Sequence, residues 1–459
     1  MTGKISMVTP HTLLRFFYIL ILSLIILLGL PNFSICDQQT AQGLAILFFI
    51  GALWISETLP ITITALLVPL LAVLLNLLDV KQALSNFAHP IIFLFLGGFS
   101  LAAALHKHDI DRALANYVLH LTKGHVLYAC LALFILTAFI SMWISNTATT
   151  AMMLPLALGI LSRFDIKENP KIYFFILLGI AYSANIGGIG TLVGSPPNAI
   201  AAAEIGLGFA DWIKIGMPMV IILLPAMIAF LFILLRPELK QHFVLEQQHF
   251  SLTPERYAVI TVFLLTVVLW LFSKQFSTFL GIDKNFDSMV AILAVLLLGG
   301  LKLVSWKDIE TTTDWGVLIL FGGGITLSAI LKSSGASAFL AEQLSLLLSQ
   351  ASFFIFLALI CTFIIFLTEM ASNTASTALM VPIFISIAAE LGFPEETLAI
   401  AIAISASCAF MLPVATPPNA IVFGTGYVPQ KKMMRTGLFL NLLCVVLISS
   451  ALYLILDYN

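Results

Sequence analysis

Long apolar stretches separated by short polar ones make up most of the chain. The apolar segments lie near 13–30, 41–58, 61–78, 90–105, 172–205, 215–235, 256–272, 287–301, 315–331, 397–424 and 436–456. A helix needs about 20 apolar residues to cross a bilayer, so these segments predict eleven transmembrane helices. Lys4 and Arg15 accompany the first segment and no small-residue cleavage site follows it, so it reads as a retained span and not a signal peptide. Two further apolar stretches, 125–162 and 346–389, are each interrupted by the same polar phrase.

That phrase runs Ser145-Asn146-Thr147-Ala148-Thr149-Thr150 to Pro155, and again Ser372-Asn373-Thr374-Ala375-Ser376-Thr377 to Pro382, with eight of eleven positions identical. Ser, Asn and Thr cap helix N-termini, and an Ala-rich helical run follows each copy. The first stretch has Lys123 before it and Arg163, Lys167 and Lys171 after it, which puts both of its ends on the cytoplasmic side. Its arms join at the phrase itself, without loop residues. The expectation is a re-entrant helical hairpin at 125–162 and a second at 346–389 entering from the opposite face. Such a break is tolerated only where it is buried or lines a cavity.

The repetition extends further. Leu94-Phe95-Leu96-Gly97-Gly98 resembles Leu320-Phe321-Gly322-Gly323-Gly324, and Pro196-Pro197-Asn198-Ala199-Ile200 recurs as Pro417-Pro418-Asn419-Ala420-Ile421. The chain therefore divides into a first span with its flanks (1–40), a repeat unit at 41–235, a linker at 236–254 and a second unit at 255–459. The linker reads as a cytoplasmic surface helix. With the N-terminus inside, Lys81, Lys214, Lys274, Lys284 and Lys332 fall outside and the other 16 of the 21 Lys and Arg fall inside, an asymmetry that supports this topology. The two units then start on opposite sides of the membrane, an inverted repeat of the kind that builds secondary transporters around a midplane site.

Composition agrees. Of 459 residues, 60% are hydrophobic and 10% charged, against roughly a quarter charged in soluble proteins. The net charge of −2 gives no reason to expect a nucleic-acid partner. The five cysteines show no ligand spacing. There is no phosphate-binding loop, His-Glu-x-x-His, pair of intramembrane carboxylates or nucleophile elbow, so an enzyme is not indicated, and neither is a cofactor.

The Pro-Pro-Asn phrases interrupt the spans at 172–205 and 397–424. Proline suits the first turn of a helix and breaks the turn before it, so each span should be two half-helices around an unwound joint. A lone Pro-Pro is ordinarily a kink and a lone Ser-Asn-Thr a satisfied cap, but both occur twice at matching positions. Unwound joints free carbonyl oxygens, and half-helix ends commonly bind sodium. By symmetry, one sodium site would use Ser141, Ser145, Asn146 and the carbonyl of Gly194. The other would use Thr368, Ala371, Asn373 and the carbonyl of Ala415. For Glu57 and Glu369, a hydrogen-bonded structural role and ion coupling both stay open.

With these paired tips and joints, the chain resembles the divalent anion/sodium symporter family over nearly its whole length, and within it the bacterial dicarboxylate members, which carry Ser-Asn-Thr at both tips. The resemblance implies a sodium-coupled symporter of C4-dicarboxylates in the inner membrane. It implies a homodimer, with a fixed scaffold built from spans near 41–78 and 215–235 and their repeat mates. The mobile transport domain would hold the hairpins and broken spans. It also implies substrate contacts from Ser145, Asn146, Thr147, Ser195, Ser372, Asn373, Thr374, Thr416 and Pro417. The alternative is a relative that exchanges dicarboxylates or 2-oxoglutarate without sodium, or one that carries citrate or sulfate.

Overall fold

The computed structural model describes residues 10–239, 252–282, 284–348 and 352–456, and every regular element among them is helical. The surface helix expected at 236–254 falls largely outside these residues. Among the described residues, nine helices are long and apolar enough to cross a membrane. His11–Asn32 is peripheral, with 11% of its apolar stretch buried, whereas Pro170–Gly190 is central, with 94% buried.

The difference between nine and the expected eleven has a local cause. Segments 61–78 and 287–301 form shorter helices, Ile61–Leu74 and Phe286–Gly300; the first, at 14 residues, covers about 21 Å. Segment 397–424 is divided into Glu395–Ala406 and Pro417–Gly424. Those three leave eight of the expected spans, and the ninth long apolar helix is Asn373–Leu391, expected as an arm of the hairpin at 346–389. The first Pro-Pro-Asn segment divides likewise into Pro170–Gly187 and Pro196–Ile205. Gly187, Gly188 and Gly190 weaken helix before the first joint, and the paired prolines start a new helix after each.

Two helix crossings reveal a reciprocal relation between the halves. A Cβ at Gly97 would lie 2.8 Å from the Cα of Ala291, and one at Gly323 would lie 2.9 Å from the Cα of Ala65. The same sequence offset relates Gly97 to Gly323 and Ala65 to Ala291. It also relates the hydrogen bond from Ser288 Oγ to the Pro90 carbonyl (2.7 Å) to the approach of Thr62 Oγ1 on Gly316. Each half thus packs its Gly-rich helix on the short helix of the other half.

Helix Phe209–Leu235 packs on the first broken span, where Trp212 Nε1 donates to the Ile189 carbonyl at 2.9 Å. Gln430–Leu456 packs around the second: Asn441 Oδ1 accepts from the Phe410 amide at 3.3 Å, and Gly437 lies against the backbone of Phe410 and Met411. The contacts of Phe209–Leu235 with the first broken span are more extensive than those of any other helix with that element except the hairpin arms. The physical reason is the unwound joint, whose free carbonyl satisfies an indole N–H that an intact helix could not.

The crossings make a testable demand. Gly97→Ala and Gly323→Ala should each lower the melting temperature in detergent, by about 1–3 kcal/mol of overpacking. Gly299→Ala, where nothing lies within 4 Å, should leave it unchanged or raise it.

Candidate functional site

Two helix starts face one cavity. Val126–Ser141 is followed by a turn at Met142–Ile144, and Asn146–Leu161 begins after Ser145, whose Oγ accepts from the Ala148 amide at 3.3 Å. Phe353–Thr368 and Asn373–Leu391 flank the second tip, where Ser372 Oγ accepts from the Ala375 amide at 3.4 Å. The hydroxyl five residues after each cap is spent inside its helix, Thr150 on the Asn146 carbonyl and Thr377 on the Asn373 carbonyl, both at 2.8 Å. Thr147 and Thr374 line the cavity instead.

The joints complete the wall and are tied to each other. Ser195 Oγ and Ser407 Oγ share a hydrogen bond of 3.3 Å, and Thr416 Oγ1 accepts from Asn185 Nδ2 at 3.1 Å. Tyr182 Oη donates to the Phe410 carbonyl at 2.8 Å. The cavity so formed measures about 1000 Å³. All nine residues expected to meet substrate line it: Ser145, Asn146, Thr147, Ser195, Ser372, Asn373, Thr374, Thr416 and Pro417.

Six of the eight expected sodium ligands line the same cavity: Ser145, Asn146, Gly194, Ala371, Asn373 and Ala415. Ser141 and Thr368 are buried behind it. Ser141 Oγ sits 2.6 Å from Asn146 Oδ1 and 2.7 Å from the Ala184 carbonyl, and Thr368 Oγ1 bonds its own helix at Ile364. The Asn373 amide oxygen is buried without a hydrogen-bond partner. Oxygen-only donor sets of this kind suit hard cations.

Charge in the cavity is one-sided. Its lining contains Glu57 and Asp314, both exposed, and no Lys, Arg or His among the described residues. Glu369 stands apart. It is 1% exposed, and its carboxylate accepts from the amides of Met411 and Leu412 at 2.8 Å and from Asn441 Nδ2 at 2.7 Å. It clamps the second joint to the turn before the second tip.

Residue patterns in the sequence did not single out Asn185, Tyr182 or Asn441. None of them has a repeated partner in the other unit to mark it. The asparagines of the two Pro-Pro-Asn phrases carried a signal in their duplication.

Residues 11–456 match the family described as the sodium:sulfate symporter transmembrane region. This chain belongs to the divalent anion/sodium symporter family. Similar family members include an uncharacterized transporter of Haemophilus influenzae, 53% identical over 95% of this symporter and 96% of the relative. The sodium-dependent dicarboxylate transporter SdcS of Staphylococcus saprophyticus is 34% identical over 91% and 87%. Among solved structures, the symporter shares its fold with the Alcanivorax borkumensis YdaH transporter, at TM-score 0.57 and 14% identity over 82% of this chain and 88% of that one. Neisseria gonorrhoeae MtrF gives TM-score 0.52 at 14% identity, over 81% and 82%.

The clamp at Glu369 can be tested by paired substitution. Glu369→Gln turns an amide N–H toward donors that need an acceptor, and unmet buried donors cost about 1–3 kcal/mol each. Its melting temperature should fall well below that of Glu57→Gln, which alters an exposed side chain.

Proposed function

We propose that this symporter carries C4-dicarboxylates, succinate, fumarate and malate, together with sodium ions across the inner membrane. The observation that carries this reading is the cavity's charge: two helix tips of Ser, Asn and Thr, two acidic residues and, among the described residues, no basic one. A dianion cannot be buried there unless cations arrive with it. Helix N-termini contribute a partial positive charge, and sodium at the two symmetric oxygen clusters supplies the rest. The sodium-dependent naming of the SdcS relative supports the same conclusion.

A rod-shaped acid with a carboxylate at each end suits two opposed tips, with Thr147 and Thr374 setting selectivity. The two helices at the first tip have 16 residues each, about 24 Å. That is less than the roughly 30 Å hydrocarbon core, which supports reading them as a re-entrant hairpin. The reciprocal Gly–Ala crossings support an inverted repeat. In this reading eleven spans and two hairpins form each protomer of a homodimer, with the N-terminus cytoplasmic. The moving body holds the hairpins, the broken spans and the helices Phe209–Leu235 and Gln430–Leu456 packed on them. It slides as an elevator against the remaining spans.

Uptake of labelled succinate into proteoliposomes tests the reading. Uptake should require an inward sodium gradient. Unlabelled fumarate and malate should compete, citrate weakly and acetate not at all, because acetate leaves one tip's donors unpaired at about 1–3 kcal/mol each. Uptake should also fall as pH drops through the second pKa of succinate. Sodium-independent uptake driven by internal dicarboxylate would replace symport with exchange.

A further inference from the structure

The asparagines of the two Pro-Pro-Asn phrases perform the same task. Asn198 Nδ2 donates to the carbonyls of Gly188 at 2.9 Å and Thr191 at 2.7 Å, with Ile189 at 3.3 Å. Asn419 Nδ2 donates to the carbonyls of Ala409 and Leu412, both at 3.1 Å. The offset that carries Asn198 onto Asn419 also carries Gly188 onto Ala409 and Thr191 onto Leu412. Each amide therefore reaches back from the first turn of its half-helix and gathers the same two carbonyls of its own joint. Both side chains are fully buried.

Gathering those carbonyls sets which oxygens remain. The carbonyls of Gly194 and Ala415, further along each joint, accept no hydrogen bond among the described residues. In the first joint the connection is close. A Cβ at Gly188 would lie 2.6 Å from Asn146 Oδ1 and 3.0 Å from the Gly194 carbonyl oxygen. The residue whose carbonyl Asn198 holds is thus packed against two of the oxygens expected to hold sodium. A shift of Gly188 must move them.

The other end of each amide is also informative. Asn198 Oδ1 and Asn419 Oδ1 are both buried with no hydrogen-bond partner. Burying an unpaired acceptor is costly, and here it occurs twice at equivalent positions. A residue kept only as a brace could be replaced by one with donors alone. An amide planted with its acceptor unpaired beside a cluster of carbonyls makes sense where a positive charge is nearby.

We propose that Asn198 and Asn419 are positioning residues for the two cation sites, each curving its joint so that the carbonyl of Gly194 or Ala415 faces the amide oxygen of Asn146 or Asn373. The proposal rests on the sodium-coupled reading above. It assigns the asparagines no contact with substrate. Outer residues that orient metal ligands typically change metal affinity by about 10–100-fold when replaced.

The test is a sodium titration of the purified full-length protein without substrate, at constant ionic strength with choline replaced by sodium, read as thermal stabilisation. Asn198→Leu and Asn419→Leu keep the side chain's approximate size and remove the amide N–H without adding a charge. Each should raise the sodium concentration for half-maximal stabilisation about tenfold or more. Asn198→Ser and Asn419→Ser carry the test if the Leu variants do not fold, with the same shift expected. A variant that melts lower in choline but titrates at the wild-type sodium concentration shows a structural brace and overturns the proposal alone. A wild-type protein whose stability ignores sodium overturns both this proposal and the symport reading.

Discussion

Backbone that leaves a helix inside a membrane protein must find its hydrogen bonds within the protein, because the bilayer supplies none. This chain breaks helix at two tips and two joints, and much of its polar architecture answers that demand. Asn198 and Asn419 take up joint carbonyls. Glu369 takes up the amides of Met411 and Leu412. Trp212 and Tyr182 donate to the carbonyls of Ile189 and Phe410. The residues left over line the cavity: cap hydroxyls, tip amides and two joint carbonyls. A site for an anion and its counter-ions is what remains when the breaks have been satisfied incompletely and in one place.

The two halves solve the same problem with different residues. The first joint is held from its tip side by Thr191, whose Oγ1 donates to the Met142 carbonyl at 2.5 Å and accepts from the Gly194 amide at 3.1 Å. The second is held by the Glu369 carboxylate and by Asn441 behind it. One joint uses a hydroxyl and the other a buried carboxyl group, although both lead into the same Pro-Pro-Asn phrase.

Much of this was legible in the residues, for a physical reason. Polar residues in an apolar chain are expensive to bury, so a phrase of Ser, Asn and Thr repeated at matching positions is conspicuous. That is how the tips and the joints could be named in advance; the nine residues that line one cavity were named by the family resemblance. The helix boundaries followed from proline and glycine. What escaped was packing. Apolar content alone cannot say which neighbour a span prefers, so the contact of Phe209–Leu235 with the first broken span was not legible. Asn185, Tyr182 and Asn441 escaped because each bond crosses between segments distant in sequence, and a single polar residue announces no partner.

The central claim is that cations neutralise a dianion in a cavity without basic residues. The most direct measurement is calorimetric titration of succinate into the purified protein in sodium buffer and in choline buffer of equal ionic strength. The account requires high-affinity binding in sodium and little or none in choline. Equal affinity in the two buffers would contradict it.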